Sequence, residues 1–284
     1  MPIRLIALDI DGTLLDDQSR LPEANRRAVA EASARGIEIA LVTGRRYDFA
    51  LPVARQFPCP LTMIANNGAL VKSSGGETRL VRLLPREVAL RVLDSTEEFR
   101  EMSSVCFNRP RENQLIFESV DWQDPLRRGY FEHNREFIAQ MSPLPQCLTE
   151  DPIQVMFTGS LERARSVEAH LSGLPFSANF SLAVTLYQNR NFGFVDVISP
   201  GCSKGSTLAT WVQARGWSRN DVMAIGDNLN DMEMLRYAGT PVIMGNSVPQ
   251  LKSLGWRETL TNNEGGVAAA IEAYALATQP LVQK

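Results

Sequence analysis

Short apolar runs alternate with a helical segment at the start of the chain. Residues 3–8 (IRLIAL), 37–42 (IEIALV) and 61–65 (LTMIA) are mostly apolar runs of strand length. Between the first two, residues 22–35 carry Ala and Val at roughly helical spacing, and Gly36 is suited to end that helix. Apolar strands that alternate with helices are typical of a parallel α/β sheet covered by helices on both faces.

The pattern changes after about residue 83. Beyond it, the spacing of apolar residues predicts helices over 85–102, 125–140 and 161–172, and strands over 104–108, 114–118, 153–158 and 183–188. Strands and helices in mixed order favour a separate α+β domain built on an antiparallel sheet.

The first pattern resumes near residue 190. It predicts strands over 194–198 (FVDVI), 222–225 and 241–244, and helices over 204–215, 229–238, 247–254 and 265–277. We therefore expect a discontinuous α/β core made of residues 1–83 and 190–284. Residues 84–189 are expected to form an α+β cap inserted into that core.

Composition and charge exclude several classes of function. The chain has 284 residues, 44% of them hydrophobic, and a formal net charge of -3. Without a basic field or a block of five Lys and Arg residues, nucleic acid is a poor candidate partner. No apolar run reaches the ~18 residues that a membrane span requires, and the first residues show no signal peptide pattern. We expect a cytoplasmic protein that does not enter the membrane.

The cysteines and histidines do not suggest a zinc site. The four cysteines contain no C-x-x-C pair, which fits reduced thiols better than a disulfide framework. They are Cys59, Cys106, Cys147 and Cys202. The two histidines, His133 and His170, are isolated in polar segments, so neither is expected to be catalytic or to bind a metal.

Chemically active side chains follow the predicted strands. Asp9 and Asp11 follow the first strand, Thr43 follows the second, and Asp227 follows the strand at 222–225. Lys204 begins the helix after the strand at 194–198. Because parallel strands bind ligands at their carboxyl ends, the fold is expected to bring these distant residues to one edge of the sheet.

Two carboxylates this close together repel each other unless a cation neutralises them. Asp9 and Asp11 therefore indicate a hard divalent ion, and Mg²⁺ suits a small set of carboxylates with phosphate and water. Taken alone, the pair could also be a solvated Asp-Gly turn, and Asp227 and Asp231 could simply cap a helix. Together with Thr43 and Lys204, the carboxylates form a complete set for phosphoryl transfer through an aspartyl-phosphate.

A set of motifs in the family order makes the chain resemble the haloacid dehalogenase superfamily phosphatases of the Cof-type branch. The matching segments are DIDGTLL at 9–15, LVTGR at 41–45, NNGA at 66–69, SKGSTL at 203–208 and GDNLNDMEMLRYAG at 226–239. The resemblance covers the whole chain. It implies a Rossmann-like core, a cap that selects the substrate, and hydrolysis of a small phosphorylated metabolite, with sugar phosphates as the usual targets.

The resemblance also implies a role for each matching residue. Asp9 would be the nucleophile and a Mg²⁺ ligand. Asp11 would be the general acid and base, and its backbone carbonyl would bind the metal. Asp227 would complete the metal site, and Asp231 would support these ligands without contacting the metal. Lys204 would bridge the nucleophile and the phosphate.

Further residues would hold the phosphate or the substrate. Those implied to contact phosphate are the backbone of Ile10 and Asp11, Thr43, the Gly44 amide and Asn230. Arg45 could contact a substrate anion or could be an ordinary surface arginine. Asn67 could face the substrate or could only form the turn before Gly68.

Three alternatives differ from this hydrolase. A phosphomutase would return the phosphoryl group to a sugar, and the motifs barely separate it from a phosphatase. A receiver-like phospho-acceptor also uses Asp, Thr and Lys with Mg²⁺, but it is far shorter and needs no cap. A silent binding protein would be suggested by loss of Asp9 or Asp11, and both are present. Mg²⁺-dependent hydrolysis is favoured, and no oligomeric state is predicted.

Overall fold

The computed structural model of the protein describes residues 2–110 and 112–277. The two ends of the predicted core, residue 1 and residues 278–284, lie outside them. The chain divides into two compact units, with boundaries at Val81/Arg82 and at Cys202/Ser203. The first unit contains both terminal segments, and the second is the segment between them.

The strands of the described residues are numbered in chain order. They are β1 (Leu5–Leu8), β2 (Glu38–Val42), β3 (Thr62–Ala65), β4 (Leu70–Ser73), β5 (Thr78–Val81), β6 (Ser103–Cys106), β7 (Leu115–Phe117), β8 (Ile138–Gln140), β9 (Gln154–Gly159), β10 (Ser181–Tyr187), β11 (Phe192–Ile198), β12 (Val222–Gly226), β13 (Thr240–Ile243) and β14 (Arg257–Glu258).

The α-helices of the same residues are mostly short. They are α1 (Glu23–Ala34), α2 (Tyr47–Ala54), α3 (Arg86–Ser95), α4 (Arg128–His133), α5 (Leu161–Ser172), α6 (Lys204–Gln213), α7 (Met232–Tyr237), α8 (Pro249–Lys252) and α9 (Gly266–Ile271). Within the described ranges, no helix is long and apolar enough to cross a bilayer.

The first unit is built on an eight-stranded sheet. Its strand order is β14-β13-β12-β1-β2-β3-β4-β5. The strands from β14 to β3 are parallel to their neighbours, and β4 and β5 extend the sheet as antiparallel strands. β1 therefore lies at the centre, between β2 and β12, and its residues are buried on both faces.

Both faces of this sheet are covered by helices. Leu5 and Ala7 of β1 belong to a buried cluster that includes Leu208 of α6 and Leu235 of α7. Because side chains alternate along a strand, Ile6 and Leu8 point to the other face. The helices α1 and α9 lie against each other, and their buried residues do not belong to the Leu5 cluster, which indicates that they cover this other face. The predicted α/β core with a parallel sheet and helices on both faces is confirmed.

The second unit is a six-stranded, mainly antiparallel sheet. Its strand order is β10-β11-β9-β6-β7-β8, and β7 and β8 are parallel. The buried residues of α3 and α5 pack on one face, in a cluster with Phe157 of β9 and Val195 of β11. Phe131 of α4 packs against Phe117 of β7, with ring centroids 5.4 Å apart. Since Ile116 belongs to the α3–α5 face, α4 lies on the opposite one.

The predicted boundary near residue 190 is wrong. β11 was expected to open the second half of the core, but it pairs antiparallel with β9 and β10 in the sheet of the second unit. That unit therefore continues to Cys202. The FVDVI run is apolar enough for a strand in either unit, and only its pairing partners decide between them.

Two predicted helices are interrupted. The helix expected over 85–102 ends at Ser95 and continues as a 3-10 turn, because the Thr96 hydroxyl donates to the carbonyl of Val92 at 2.7 Å. The helix expected over 125–140 ends at His133, and its last residues form β8. α2, β4, β5 and β14 were not predicted, since they are short or, in α2, contain a proline.

Candidate active site

Asp9 and Asp227 meet because their strands are neighbours. Asp9 follows β1 and Asp227 follows β12, and the two strands pair in parallel with Leu8 opposite Ile225. The backbone N–H of Asp9 donates to the carbonyl of Ile225 at 3.1 Å, so the pairing continues past the end of β1. Both carboxylates are buried at the carboxyl edge of the sheet, as the sequence predicted for that edge.

The turn after Asp9 packs tightly against Asp227. Gly12 has a φ of 78°, which favours glycine, and a Cβ there would lie 2.5 Å from Oδ2 of Asp227. The hydroxyl of Thr13 donates to Oδ1 of the same carboxylate at 3.0 Å. The DGT sequence therefore shapes the turn and fixes the Asp227 side chain.

Lys204 joins two of the carboxylates. It is the first residue of α6, which begins with a capping box in which the Ser203 hydroxyl accepts from the Ser206 N–H. Its Nζ donates to Oδ1 of Asp9 at 2.6 Å and to Oδ1 of Asp231 at 2.7 Å. The Lys204 side chain is only 1% exposed, so these contacts take place away from water.

Asp231 is fully engaged by neighbouring donors. Its Oδ1 accepts from Lys204, and its Oδ2 accepts from the backbone N–H groups of Asp227 at 3.0 Å and Asn228 at 3.1 Å. Gly226 allows this close approach, since a Cβ at that position would lie 2.7 Å from Cγ of Asp231. Asp231 therefore fixes Lys204 and the backbone that carries Asp227.

The cluster holds more negative charge than Lys204 can balance. Burial, together with the nearby Asp231 carboxylate, raises the pKa of Asp9 to about 7 despite the opposing effect of Lys204. Burial and the Asp9 carboxylate likewise raise the pKa of Asp227 well above its usual value. Burial alone would lower the pKa of Lys204, but Asp231 and Asp9 outweigh it and raise that pKa.

This cluster fits a divalent cation. Carboxylate oxygens of Asp9, Asp227 and Asp231 lie within 4.8 Å of one another, and all three residues are buried. Buried oxygens of this kind are the ligands that Mg²⁺ prefers. Burial and carboxylate repulsion raise the pKa values of Asp9 and Asp227, and a +2 charge would offset that repulsion. Because both oxygens of Asp231 already accept hydrogen bonds, Asp9 and Asp227 are the better candidates as direct ligands.

Thr43 and Gly44 follow β2 and are backed by Asn67. Thr43 is buried, and its carbonyl accepts from the N–H of Asn67 at 3.0 Å. Oδ1 of Asn67 accepts from Nδ2 of Asn230 at 3.2 Å. A Cβ on Gly44 would lie 3.1 Å from the same Oδ1. Asn67 thus links the loop after β2 to the loop after β12.

Asn67 is enclosed by these contacts. Its exposure is 0% and its φ is 51°, a left-handed conformation that asparagine tolerates. Asn67 lies in the turn that contains Gly68, and its contact with a substrate stays a prediction. Ile10 is also fully buried.

Arg45 contacts Asp11. Its Nε donates to Oδ2 of Asp11 at 2.7 Å and its Nη2 donates to Oδ1 at 2.6 Å. The sequence suggested either a substrate anion or an ordinary surface position for Arg45, and a pairing with the catalytic candidate Asp11 was not anticipated.

Two further residues near the site were missed. Thr13 fixes Asp227, and Nδ2 of Asn246 donates to the carbonyl of Gly12 at 2.8 Å. Thr13 lies inside the DGT motif, and Asn246 follows β13 at the edge that carries the other polar residues. Their position at strand ends was the signal that could have identified them.

Comparisons with known proteins identify the family of the chain. A model of the haloacid dehalogenase-like hydrolase family matches residues 6–271. The HMP-PP phosphatase of Serratia proteamaculans (strain 568) is 30% identical over 251 residues, covering 88% of this chain and 87% of the relative. The pyridoxal phosphate phosphatase YbhA of Escherichia coli (strain K12) is 27% identical over 260 residues, covering 89% and 92% respectively.

A solved structure shows the same fold. A haloacid dehalogenase-like hydrolase from Bacillus subtilis has a TM-score of 0.81 at 21% identity, covering 95% of this chain and 99% of that one. The chain therefore belongs to the haloacid dehalogenase-like hydrolases, and it is a phosphatase of that family.

Proposed function

We propose that the protein is a Mg²⁺-dependent hydrolase of small phosphomonoesters that forms an aspartyl-phosphate on Asp9. The observation that carries this proposal is the buried contact of 2.6 Å between Nζ of Lys204 and Oδ1 of Asp9. A lysine in this position holds the carboxylate in one orientation and offers positive charge to an incoming phosphate.

Asp9 is assigned as the nucleophile. Lys204 holds Oδ1, so Oδ2 is the oxygen that attacks phosphorus. A bond forms between Oδ2 and phosphorus while the bond from phosphorus to the ester oxygen breaks. The leaving oxygen takes a proton from the carboxyl group of Asp11 and departs as an alcohol.

The second step regenerates the enzyme. The Asp11 carboxylate takes a proton from a water molecule, and the water oxygen attacks phosphorus. The bond between phosphorus and Oδ2 of Asp9 then breaks, which releases inorganic phosphate. A mutase would instead pass the phosphoryl group to a hydroxyl of a sugar, so the fate of the phosphate separates the two reactions.

Residues at the strand ends are assigned to the cation and the phosphate. Asp9, Asp227 and the backbone carbonyl of Asp11 would hold Mg²⁺, which when bound supplies positive charge that lets two anions approach each other. Four groups would bind the phosphate oxygens in addition to the backbone of Asp11. They are Thr43, the backbone N–H groups of Ile10 and Gly44, and the side chain of Asn230.

The substrate is proposed to be a phosphorylated sugar or a related small metabolite. Two relatives are named as phosphatases of HMP-PP and of pyridoxal phosphate. These names support a small phosphorylated metabolite as the substrate class. They also suggest pyridoxal phosphate as a member of the test panel.

The first test is phosphate release with Mg²⁺. The panel contains p-nitrophenyl phosphate, glucose 6-phosphate, ribose 5-phosphate, phosphoglycolate and pyridoxal phosphate. Wild type should release phosphate, and Asp9→Asn should release none while keeping its circular dichroism spectrum. Glu31→Gln, an acid-to-amide change on the surface of α1, is the matched control and should behave as wild type.

The covalent step is tested separately. Asp11→Asn should accumulate labelled phosphate on Asp9 when it is quenched during reaction with ³²P-labelled p-nitrophenyl phosphate. The p-nitrophenolate departs without an acid, whereas the water molecule of the second step has lost its base. Turnover by Asp9→Asn would contradict the nucleophile assignment. Activity that persists after chelation of divalent ions would contradict the metal site.

A further inference from the structure

The carboxylate assigned to proton transfer is held by an arginine. Both oxygens of Asp11 accept hydrogen bonds from Arg45, at 2.7 Å from Nε and 2.6 Å from Nη2. The side chains are 14% and 29% exposed, so the pair is partly shielded from water. A two-point contact between a planar guanidinium and a carboxylate fixes the orientation of both groups.

The backbone of Arg45 is held in place, and its side chain lies beside an aromatic ring. The backbone N–H of Arg45 donates to the Thr43 hydroxyl at 3.1 Å, and its carbonyl accepts from the N–H of Asn66 at 2.9 Å. Its Cζ lies 4.8 Å from the ring centroid of Phe49 in α2. The backbone contacts do not need the side chain, so a substitution of Arg45 should leave the loop after β2 in position.

Asp11 lies apart from the other carboxylates. Among the described residues, the group whose oxygens lie within 4.8 Å of one another contains Asp9, Asp227 and Asp231 but not Asp11. Asp11 is only two residues from Asp9, and its charge contributes to the raised pKa of Asp9. A carboxylate this close to a cation site would be attracted to a bound cation unless another positive group held it away.

We propose that Arg45 is a positioning residue for Asp11, which keeps the proton-transfer carboxylate separate from the carboxylates that hold the cation. This inference rests on the proposed role of Asp11 in catalysis. It assigns Arg45 to the carboxylate of Asp11 rather than to an anionic group of the substrate. Loss of Arg45 then lets the Asp11 side chain move towards the cation, where it is no longer available to protonate the leaving group.

Kinetics of Arg45→Ala test the proposal. Alkyl phosphates require an acid for the leaving oxygen, whereas the p-nitrophenolate of p-nitrophenyl phosphate departs without one. We expect kcat for an alkyl phosphate to fall by about 10²-fold, since misplacing a catalytic group has an effect of that order. With p-nitrophenyl phosphate, the first turnover should survive as a burst, followed by slow release of phosphate from Asp9.

A double variant separates positioning of Asp11 from substrate binding. Arg45→Ala combined with Asp11→Asn should be no slower than Asp11→Asn alone, because Arg45 acts only through Asp11. If Arg45 bound a substrate anion, the double variant would be slower, and the loss in the single variant would appear mainly in KM. Added guanidinium chloride should restore part of kcat in Arg45→Ala, and Arg45→Lys should retain more activity than Arg45→Ala.

Cation binding gives a readout that does not depend on activity. Calorimetric titration with Mg²⁺ should give a lower Kd for Arg45→Ala than for wild type, because Asp11 becomes an additional ligand. The double variant with Asp11→Asn should return to the wild-type Kd or above it. An unchanged Kd in Arg45→Ala would overturn the proposal.

Controls distinguish this inference from the proposed function. Arg26→Ala removes a surface arginine paired with Glu23 on α1 and should leave every parameter unchanged. If Asp11→Asn is fully active, the catalytic assignment of Asp11 fails. If Asp11→Asn is impaired while Arg45→Ala turns over alkyl phosphates normally, only the positioning role of Arg45 is overturned.

Discussion

Raising the pH should destabilise the metal-free protein, because the Asp9 carboxyl is buried beside other carboxylates. Its pKa is raised from 3.8 to about 7, with burial as the main cause and Asp231 as the second. The folded protein therefore keeps a proton on Asp9 that the unfolded chain releases above about pH 4. Asp227 acts in the same direction, since its pKa is also raised.

The sign and size of this pH effect follow from the numbers of protons that the folded and unfolded states bind. Where the folded state binds more protons than the unfolded state, the free energy of unfolding falls as the pH rises. One proton corresponds to about 1.4 kcal/mol per pH unit, so a shift from 3.8 to about 7 corresponds to about 4 kcal/mol in total. This contribution is full below about pH 4 and is lost by the time the pH has passed about 7.

Carboxyl groups with a lowered pKa do not obscure this window. Hydrogen bonds are the main cause that lowers the pKa of Asp16 below its ordinary value of 3.8 and the pKa values of Glu23 and Glu264 below their ordinary value of 4.5. A lowered pKa contributes stability that is lost only as the pH falls through the acid range. Between about pH 5 and 8 these three groups should therefore add little to the slope that Asp9 and Asp227 produce.

The assay is urea unfolding in EDTA at pH 5, 6, 7 and 8. Asp9→Asn removes both the titrating group and its effect on Asp227, so it should lose less stability than wild type as the pH rises. Mg²⁺ should oppose the trend by binding the ionised carboxylates, with the largest stabilisation at pH 8. If the free energy of unfolding fell equally with pH in wild type and in Asp9→Asn across this range, the reasoning would be refuted.

Three further predictions concern the same edge of the sheet. Lys204→Met leaves Asp9 and Asp231 without the ammonium group that they share, so we expect kcat to fall by at least about 10²-fold in the phosphate-release assay. In urea unfolding, the metal-free variant should lose about 3–5 kcal/mol of stability. An unchanged free energy of unfolding would contradict a buried ion pair. Asp227→Asn should weaken Mg²⁺ binding in calorimetry, and an unaltered Kd would exclude it as a ligand. Gly12→Ala should cost at least about 1 kcal/mol from its positive φ, with a further loss from contact with Asp227; a thermal midpoint equal to wild type would show that the turn relaxes without strain.

The core and its site could be predicted because strand ends are marked in the sequence. Apolar runs ended at Asp9, Thr43 and Asp227, and the parallel topology brings such ends to one edge. Periodicity does not encode which strands pair, so β11 was assigned to the wrong unit. It also does not encode a local competitor such as the Thr96 hydroxyl, which takes the carbonyl of Val92 and ends α3.

The contacts of individual side chains were less predictable than the positions of the strands. The sequence placed Arg45 two residues after Thr43 but could not show which anion it would meet, since Asp11 lies 34 positions away. Asn67 was ambiguous for a similar reason. Its partner Asn230 comes from the loop after β12, and a contact over 163 positions has no local signal.

The central place of β1 has a consequence for synthesis of the protein. β1 is synthesised well before β12, which is one of its two neighbours in the sheet, with Leu5 opposite Val222. Until that neighbour emerges from the ribosome, β1 has an open edge, which is a risk for aggregation. Lys204 and Asp227 also follow the second unit in the sequence. A chain that stops within that unit therefore contains the proposed nucleophile but lacks Lys204 and the Asp227 ligand of the cation site. A prematurely terminated product should therefore be inert as well as incomplete.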